Sequence, residues 1–526
     1  MCGIAGILNL GGLRDGESVG RRMADALRHR GPDAGAVWED AEAGLVLAHR
    51  RLSVVDLSPA GAQPMASASG RWVICYNGEV YNAIQLRQAV DQAGSVAWRG
   101  HSDTEVIVEH VDRFGVGATV SALIGMFAIA LWDRAKRCLW LVRDRMGVKP
   151  LYWGQFGGRL LFGSELKALR ACSGWTPRID REAVTAFMRH SYIPAPRSIY
   201  HGIHKLLPGH MLRVAAGQTP VAEPYWTLRD NAVLAGRANT LSGLGDEEAT
   251  DHLEYLLRDA VERRMVADVP LGAFLSGGID SSLVAALMQA QSDRPVRTFS
   301  IGFGESEYNE AHHAKAVATH LGTDHTEVYV DSAQALGVIP LLGTMFDEPF
   351  ADSSQLPTYL LSQITRQHVT VALSGDGGDE LFAGYTRYAL AGQLWSRLAR
   401  IPRPLRALAA QGIHAVPPKN WQRLFNLMPE SRRLWAAGDR LHKFADTLIL
   451  PDQDALYRRL VSHWTRPEEV VRDGHEPTDG LFTDPAVRDL LPDSVARMQY
   501  LDTLTYLPDD ILTKVDRTSM AVSLEV

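Results

Sequence analysis

Cys2 directly follows the initiator methionine, in Met1-Cys2-Gly3-Ile4-Ala5-Gly6-Ile7. A small residue at position two normally lets Met1 be removed. That leaves a thiol and a free α-amine on the same residue. The α-amine titrates near pH ~8, close to a free thiol, so it can act as base for its own nucleophile. Most cysteines need a separate histidine for this. The placement predicts an N-terminal nucleophile, which then needs partners elsewhere in the chain.

A second chemistry lies in Ser276-Gly277-Gly278-Ile279-Asp280-Ser281-Ser282, between an apolar strand and a helix. Glycines let the backbone approach an anion, and a helix start points free N–H groups at it. Ser276, Ser281 and Ser282 add hydroxyl donors. Asp280 would repel a bare phosphate. It makes sense where a divalent cation bridges it to phosphates, because Mg²⁺ favours one or two carboxylates plus phosphate oxygens. Ser374-Gly375-Asp376-Gly377-Gly378-Asp379-Glu380 follows another apolar strand. Loops at the carboxyl ends of parallel strands share one crevice, so Asp280 and Asp379 are placed to hold one Mg²⁺. A lone Ser-Gly-Gly loop reads better as a capped turn; two matched loops favour the site.

The elements that must carry these residues fall into two parts. The chain has 526 residues, too many for one core. Up to about residue 210, short apolar runs split by Gly, Asp and Asn predict many strands, with helices over 18–28 and after Ser102. The apolar run 123–132 is about half a membrane span and reads as a buried strand. The stretch 214–245, rich in Ala, Gly, Thr and Pro, reads as a linker. A helix then starts near Asp246 with Leu253, Leu256, Leu257, Ala260 and Val261 on one face. Strands and helices alternate to residue 373, which predicts a parallel α/β sheet, and the rest is mostly helical.

Hydrophobic content of 46% and charged content of 22% are ordinary for a globular protein. A net charge of -7 argues against nucleic acid or an anionic membrane as main partner. The 4 cysteines are too few for a disulfide framework, which suits a reducing cytoplasm.

Taken together, these motifs resemble those of the glutamine-dependent asparagine synthetases over nearly the whole chain. The markers are Met1-Cys2-Gly3-Ile4, His29-Arg30-Gly31-Pro32-Asp33, His49-Arg50-Arg51-Leu52-Ser53-Val54-Val55-Asp56, Tyr76-Asn77-Gly78-Glu79 and Ser102-Asp103-Thr104-Glu105. Arg143-Asp144-Arg145-Met146-Gly147-Val148-Lys149-Pro150, Glu348-Pro349-Phe350-Ala351-Asp352-Ser353-Ser354 and the two glycine loops complete the set. The resemblance implies an α+β N-terminal-nucleophile domain (αββα sandwich) over 2–213. An α/β ATP pyrophosphatase-type synthetase domain with extra helices would follow over 246–526.

It also implies roles. Cys2 would attack the glutamine amide, with Asn77 and Gly78 as oxyanion hole. Arg51, Leu52, Ser53, Val54, Val55, Glu79 and Asp103 would bind glutamine. Leu275, Ser276, Gly277, Gly278, Asp280, Ser281, Ser282, Ile301, Ser374 and Gly375 would bind ATP, and Asp376 would serve adenylate formation. The implied reaction makes asparagine from aspartate, glutamine and ATP through β-aspartyl-AMP, with room for a homodimer. Relatives of the same architecture amidate other carboxylates, and a glutaminase-only or non-catalytic relative is the third reading. A later lysine of the family lies beyond Val526 and is not matched by Lys514, so the expectation is a C-terminally truncated synthetase short of one catalytic cation.

Overall fold

The computed structural model describes residues 2–9, 12–13, 15–215, 218–238, 243–304, 310–427, 436–478 and 480–526. The first part folds as two six-stranded antiparallel sheets. In chain order their strands are β1 (Gly3–Leu8), β2 (Ala34–Asp40), β3 (Leu45–Arg51), β4 (Met65–Ala66), β5 (Trp72–Val80), β6 (Gly125–Asp133), β7 (Cys138–Arg143), β8 (Tyr152–Phe156), β9 (Arg159–Gly163), β10 (Ile203–Lys205), β11 (His210–Ala215) and β12 (Val221–Pro224). One sheet runs β10-β8-β9-β1-β3-β2, the other β12-β11-β7-β6-β5-β4.

Both faces of these sheets are covered, so β1 reads as a continuous apolar run rather than an alternation. Successive side chains still point to opposite faces. Ile4 and Leu8 face the other sheet, among Leu47, Val73, Cys75 and Trp132. Ala5 and Ile7 face outward onto Val19, Met23 and Leu27 of the first helix and the turn after it. The outer face of the second sheet packs Ile74, Ile129 and Leu131 against Leu86, Val106 and Ile107. The layers are helix, sheet, sheet, helix, the αββα sandwich expected from the sequence.

The second part holds a parallel sheet of β13 (Leu271–Phe274), β14 (Arg297–Phe303), β15 (Asp324–Val330) and β16 (Val371–Leu373), in the order β15-β14-β13-β16. Helices Ile279–Ala290, Ala311–Leu321 and Gln355–Thr365 lie in the crossovers. The strand order reverses between β13 and β16, where a doubly wound sheet opens its crevice. Helices then dominate to Met520, packed partly around Tyr388, Tyr457 and Tyr500. Among the described residues, no helix is long and apolar enough to cross a membrane.

Two readings of the sequence are corrected. Residues within 214–245 are more than a linker: β12 pairs with β11, and a helix spans Leu228–Ala238. β12 is an exposed edge strand that ends on Pro224, so it lacks the apolar alternation that marks a strand. The helix Asp246–Arg264 starts where expected, but Leu253 and Leu256 are 39% and 49% exposed. Its buried contacts come from Leu257, Val261 and the following Met265, against Val284, Leu287 and Met288.

Candidate active sites

Cys2 immediately precedes β1, and the pairing of β1 with β3 brings Arg51 at the end of β3 to the same edge. The facing sheet supplies Asn77, Gly78 and Glu79 near the end of β5. The Cys2 backbone N–H donates to Asn77 Oδ1 at 2.9 Å, which ties the two sheets together at the nucleophile. Asn77 Nδ2 is buried with no hydrogen-bond partner among the described residues, a donor waiting for an acceptor. Gly78 must be glycine, since a Cβ there would lie 2.0 Å from the Met126 carbonyl oxygen. Burial pushes the Cys2 thiol above its usual range, so the resting form is the thiol.

Cys2, Arg51, Leu52, Val54, Val55, Gly78, Glu79 and Asp103 line one pocket. Arg51 donates to the carbonyls of Ser58, at 3.0 Å, and Asp56, which fixes the plane of its guanidinium. Asp103 opens the helix Asp103–Phe114, capped by Ser102, whose Oγ accepts from Glu105 N at 3.3 Å. Its carboxylate accepts from Tyr76 Oη at 2.7 Å and Val80 N at 3.0 Å. Burial raises Asp103 despite these donors. Glu79 is raised much further, by burial first and then by its acidic neighbours Glu525 and Asp103. Ser53 stands apart from the pocket lining: its N–H donates to Asp33 Oδ2 at 2.8 Å.

The pocket rests on the second part of the chain. Leu52 and Val54 pack on Val371 and Met520. Asp56 N donates to Asp268 Oδ2 at 2.8 Å, and Asp268 N to Val54 O at 3.0 Å. Deeper in, Arg30 donates to the Cys2 carbonyl at 3.1 Å, to Glu165 at 2.8 Å and bidentately to Asp516 at 2.7 and 2.8 Å. Arg517 lies 2.9 Å from Glu165. Burial alone would raise Glu165, but Arg517, His29 and Lys167 override it and hold that carboxyl well below its usual range. Glu348 joins this junction through Lys205 at 3.0 Å and Tyr152 Oη at 3.1 Å, whereas Asp352 and Ser354 of the same motif reach a crevice in the second part of the chain.

That crevice opens between β13 and β16. Leu275, Ser276, Gly278, Asp280, Ser281, Ile301, Ser374, Gly375, Asp376 and Asp379 line it. Its volume, about 890 Å³, lies toward the upper end of ordinary ligand sites. Gly277 turns the loop at φ 81° and packs its α-carbon on the helix that begins at Ala311, so it shapes the loop without lining the crevice. Ser282 also lies behind the lining, with its hydroxyl buried and unpartnered among the described residues. Burial raises the Asp280 carboxyl and Asp379 raises it further, so the two carboxylates feel one another. A Cβ on Gly378 would sit 2.5 to 2.9 Å from the Asp280 carboxylate. Gly378→Ala is therefore expected to displace Asp280 and lower ATP-dependent turnover more than ~10-fold, with glutamine hydrolysis retained. Separate assays of the two reactions check this.

Three residues in or beside these sites were not legible from motifs. Lys514 lines the crevice with its Nζ 3.4 Å from Asp352, a cation the sequence reading set aside. Asp510 stands beside this pair, raised to about 8 by burial and by Asp352. Glu525 lines the Cys2 pocket from the far end of the chain.

Comparison with known proteins agrees with this division. A glutamine amidotransferase domain model matches residues 1–226, and an asparagine synthase model matches residues 252–526. The class is thus an enzyme of two linked catalytic domains, one for glutamine amide transfer and one of the synthase type. The chain belongs to the asparagine synthase family. The glutamine-hydrolyzing asparagine synthetase 1 of Bacillus subtilis is 31% identical over 100% of this chain and 78% of its own length. A Mycobacterium tuberculosis relative, provisionally named the same, is 32% identical over 97% of this chain and 76% of its own. Among solved structures, the glutamine phosphoribosylpyrophosphate amidotransferase of B. subtilis covers 62% of this chain at 16% identity and a TM-score of 0.35, too slight a likeness to bear on fold or function.

Proposed function

We propose that this enzyme amidates aspartate to asparagine with ammonia taken from glutamine, at the expense of ATP. The observation that carries the reading is the pairing of the Cys2 pocket with the two-loop crevice in one chain, bridged by the buried ion pairs of Arg30 and Arg517. Once Met1 is removed, the Cys2 α-amine takes the thiol proton and the sulfur attacks the glutamine side-chain carbonyl. Asn77 Nδ2 and the Gly78 N–H hold the oxyanion. The proton passes to the leaving nitrogen, ammonia departs and water hydrolyses the thioester to glutamate. Arg51 clamps the substrate α-carboxylate.

In the crevice, Ser276, Gly278 and Ser281 hold the phosphates of ATP, while Leu275, Ile301, Ser374 and Gly375 enclose the nucleoside. The aspartate β-carboxylate attacks the α-phosphorus and displaces pyrophosphate. Ammonia then attacks the acyl carbon and releases AMP. Asp376, exposed at the loop tip, is placed to serve the adenylation step. Asp280 and Asp379, both lining the crevice, would hold Mg²⁺, whose charge would relieve the repulsion between them. When bound, Mg²⁺ neutralises phosphate charge. The test is aspartate-dependent exchange of labelled pyrophosphate into ATP. Formation of ADP and phosphate instead would sink the adenylate mechanism.

A further inference from the structure

One wall of the nucleotide crevice belongs to neither glycine loop. Asp352 and Ser354 sit just ahead of the helix Gln355–Thr365. Lys514 lies near the start of the helix Leu512–Met520, which packs against it. All three residues line the crevice, with Tyr506 and Ile511. Asp352 Oδ1 accepts from Ser354 N at 2.8 Å and from Ser354 Oγ at 2.7 Å, while Oδ2 lies 3.4 Å from Lys514 Nζ. That separation is longer than a charge-assisted hydrogen bond, and an ammonium has three donors. The two charges stand side by side, and Lys514 keeps donors for a ligand.

The described lining of the crevice carries the carboxyl groups of Asp280, Glu310, Asp352, Asp376, Asp379 and Glu380 and one cation, Lys514. Arg387 stacks on Tyr385 and Tyr506 from outside the lining, and Asp502 accepts from it at 2.7 Å, so its charge is already matched. Asp510, raised to about 8 by burial and by Asp352, is protonated at neutral pH. Burial would raise Asp352 too, yet Lys514, Ser354 and a hydrogen bond with Asp510 hold it below its usual range. This wall therefore presents one anion and one cation with no net charge. Its complement is an ammonium and a carboxylate on one carbon, the α-carbon end of an amino acid. ATP and aspartate are both anions, and Lys514 is the one described lining side chain able to form an ion pair with a carboxylate.

Building on the reading of this crevice as the aspartate-adenylating site, we propose that Asp352 and Lys514 are the specificity-determining pair for the acceptor, Asp352 taking its α-ammonium and Lys514 its α-carboxylate. The β-carboxylate is then the one left to meet the α-phosphorus. The pair selects an α-amino dicarboxylic acid over acids that lack either charge. Ser354 and Asp510 are positioning residues, which keep Asp352 ionised and aimed.

The experiment measures acceptor-dependent pyrophosphate release by the full chain with aspartate, succinate and β-alanine. Succinate lacks only the α-ammonium and β-alanine only the α-carboxylate. The wild type is expected to prefer aspartate over each by about a hundredfold in kcat/KM. Lys514→Met is expected to raise the aspartate KM about tenfold or more and to narrow the preference over β-alanine, leaving the preference over succinate intact. Asp352→Asn is expected to do the converse, narrowing the preference over succinate alone. Ratios taken on one preparation do not depend on how much of it is folded. A Lys514→Met enzyme that loses all three acceptors alike, or whose ATP KM rises instead, would assign Lys514 to the phosphates and overturn the proposal. A wild type that uses succinate or β-alanine as well as aspartate overturns it with no variant needed. A wild type that uses a different carboxylate and releases no pyrophosphate with aspartate overturns the parent reading, and this assignment with it.

Discussion

Cys2→Ala is expected to lower glutamine hydrolysis by at least ~10⁴-fold, the scale seen when a covalent nucleophile is removed. Asparagine formation from ammonium salts should persist in the same variant. The structural reason for the split is the separation of the two sites. The Cys2 backbone N–H holds Asn77, and that bond survives the substitution. Among the described residues the thiol donates only to the Leu52 carbonyl, at 3.9 Å. The lining of the Cys2 pocket and that of the crevice share no residue. Glutamate release and ammonium-dependent asparagine formation, measured side by side, decide the matter. Retained glutamine use in Cys2→Ala would remove Cys2 from its role.

Arg30→Met carries the largest expected cost in stability. The guanidinium is fully buried and faces Asp516, Glu165 and the Cys2 carbonyl. Removing it leaves a buried carboxylate without its main partner, which typically costs about 3–5 kcal/mol. In the native protein, burial would raise Asp516, yet Arg30 holds it below its usual range. A depressed carboxyl contributes stability above the unfolded carboxylate range and loses it only as pH falls through the lowered folded value. The variant reverses this sign. Asp516 there is raised and takes up a proton on folding, so the deficit is larger at pH 7.5 than at pH 5. Thermal unfolding at the two pH values reads the difference. Adding Asp516→Leu should recover part of the loss, since two apolar side chains replace a broken ion pair. Equal deficits at both pH values would argue against a charge-based cost.

The chemistry that resides in contiguous residues was legible in the sequence. A glycine loop after a strand announces its backbone geometry locally, which is why Ser276 to Ser282 and Ser374 to Glu380 meet at one crevice as expected. Cys2 and Asn77 were legible for the same reason, each through its own short motif. What depended on tertiary closure was not. Arg30 and Asp516 are 486 residues apart, and neither segment alone says that they form a bidentate pair. Glu525 reaches the Cys2 pocket only because its backbone joins the edge of β16. Lys514 and Asp352 meet through helix packing that no local period records. Polar edge elements were missed as well: Val221 in β12 is exposed, so the strand carries none of the apolar pattern that identifies its neighbours.

The loop that carries Arg51, Leu52, Val54 and Asp56 lies against Asp268, Val371 and Met520 of the other part. The two catalytic units are therefore poor interchangeable cartridges. Grafting the amide-cleaving half of one relative onto the synthetase half of another would mismatch a guanidinium, several carboxylates and an apolar seam in one stroke. A change on one side of this seam therefore calls for a matching change on the other, as two halves of a mould must be recut together.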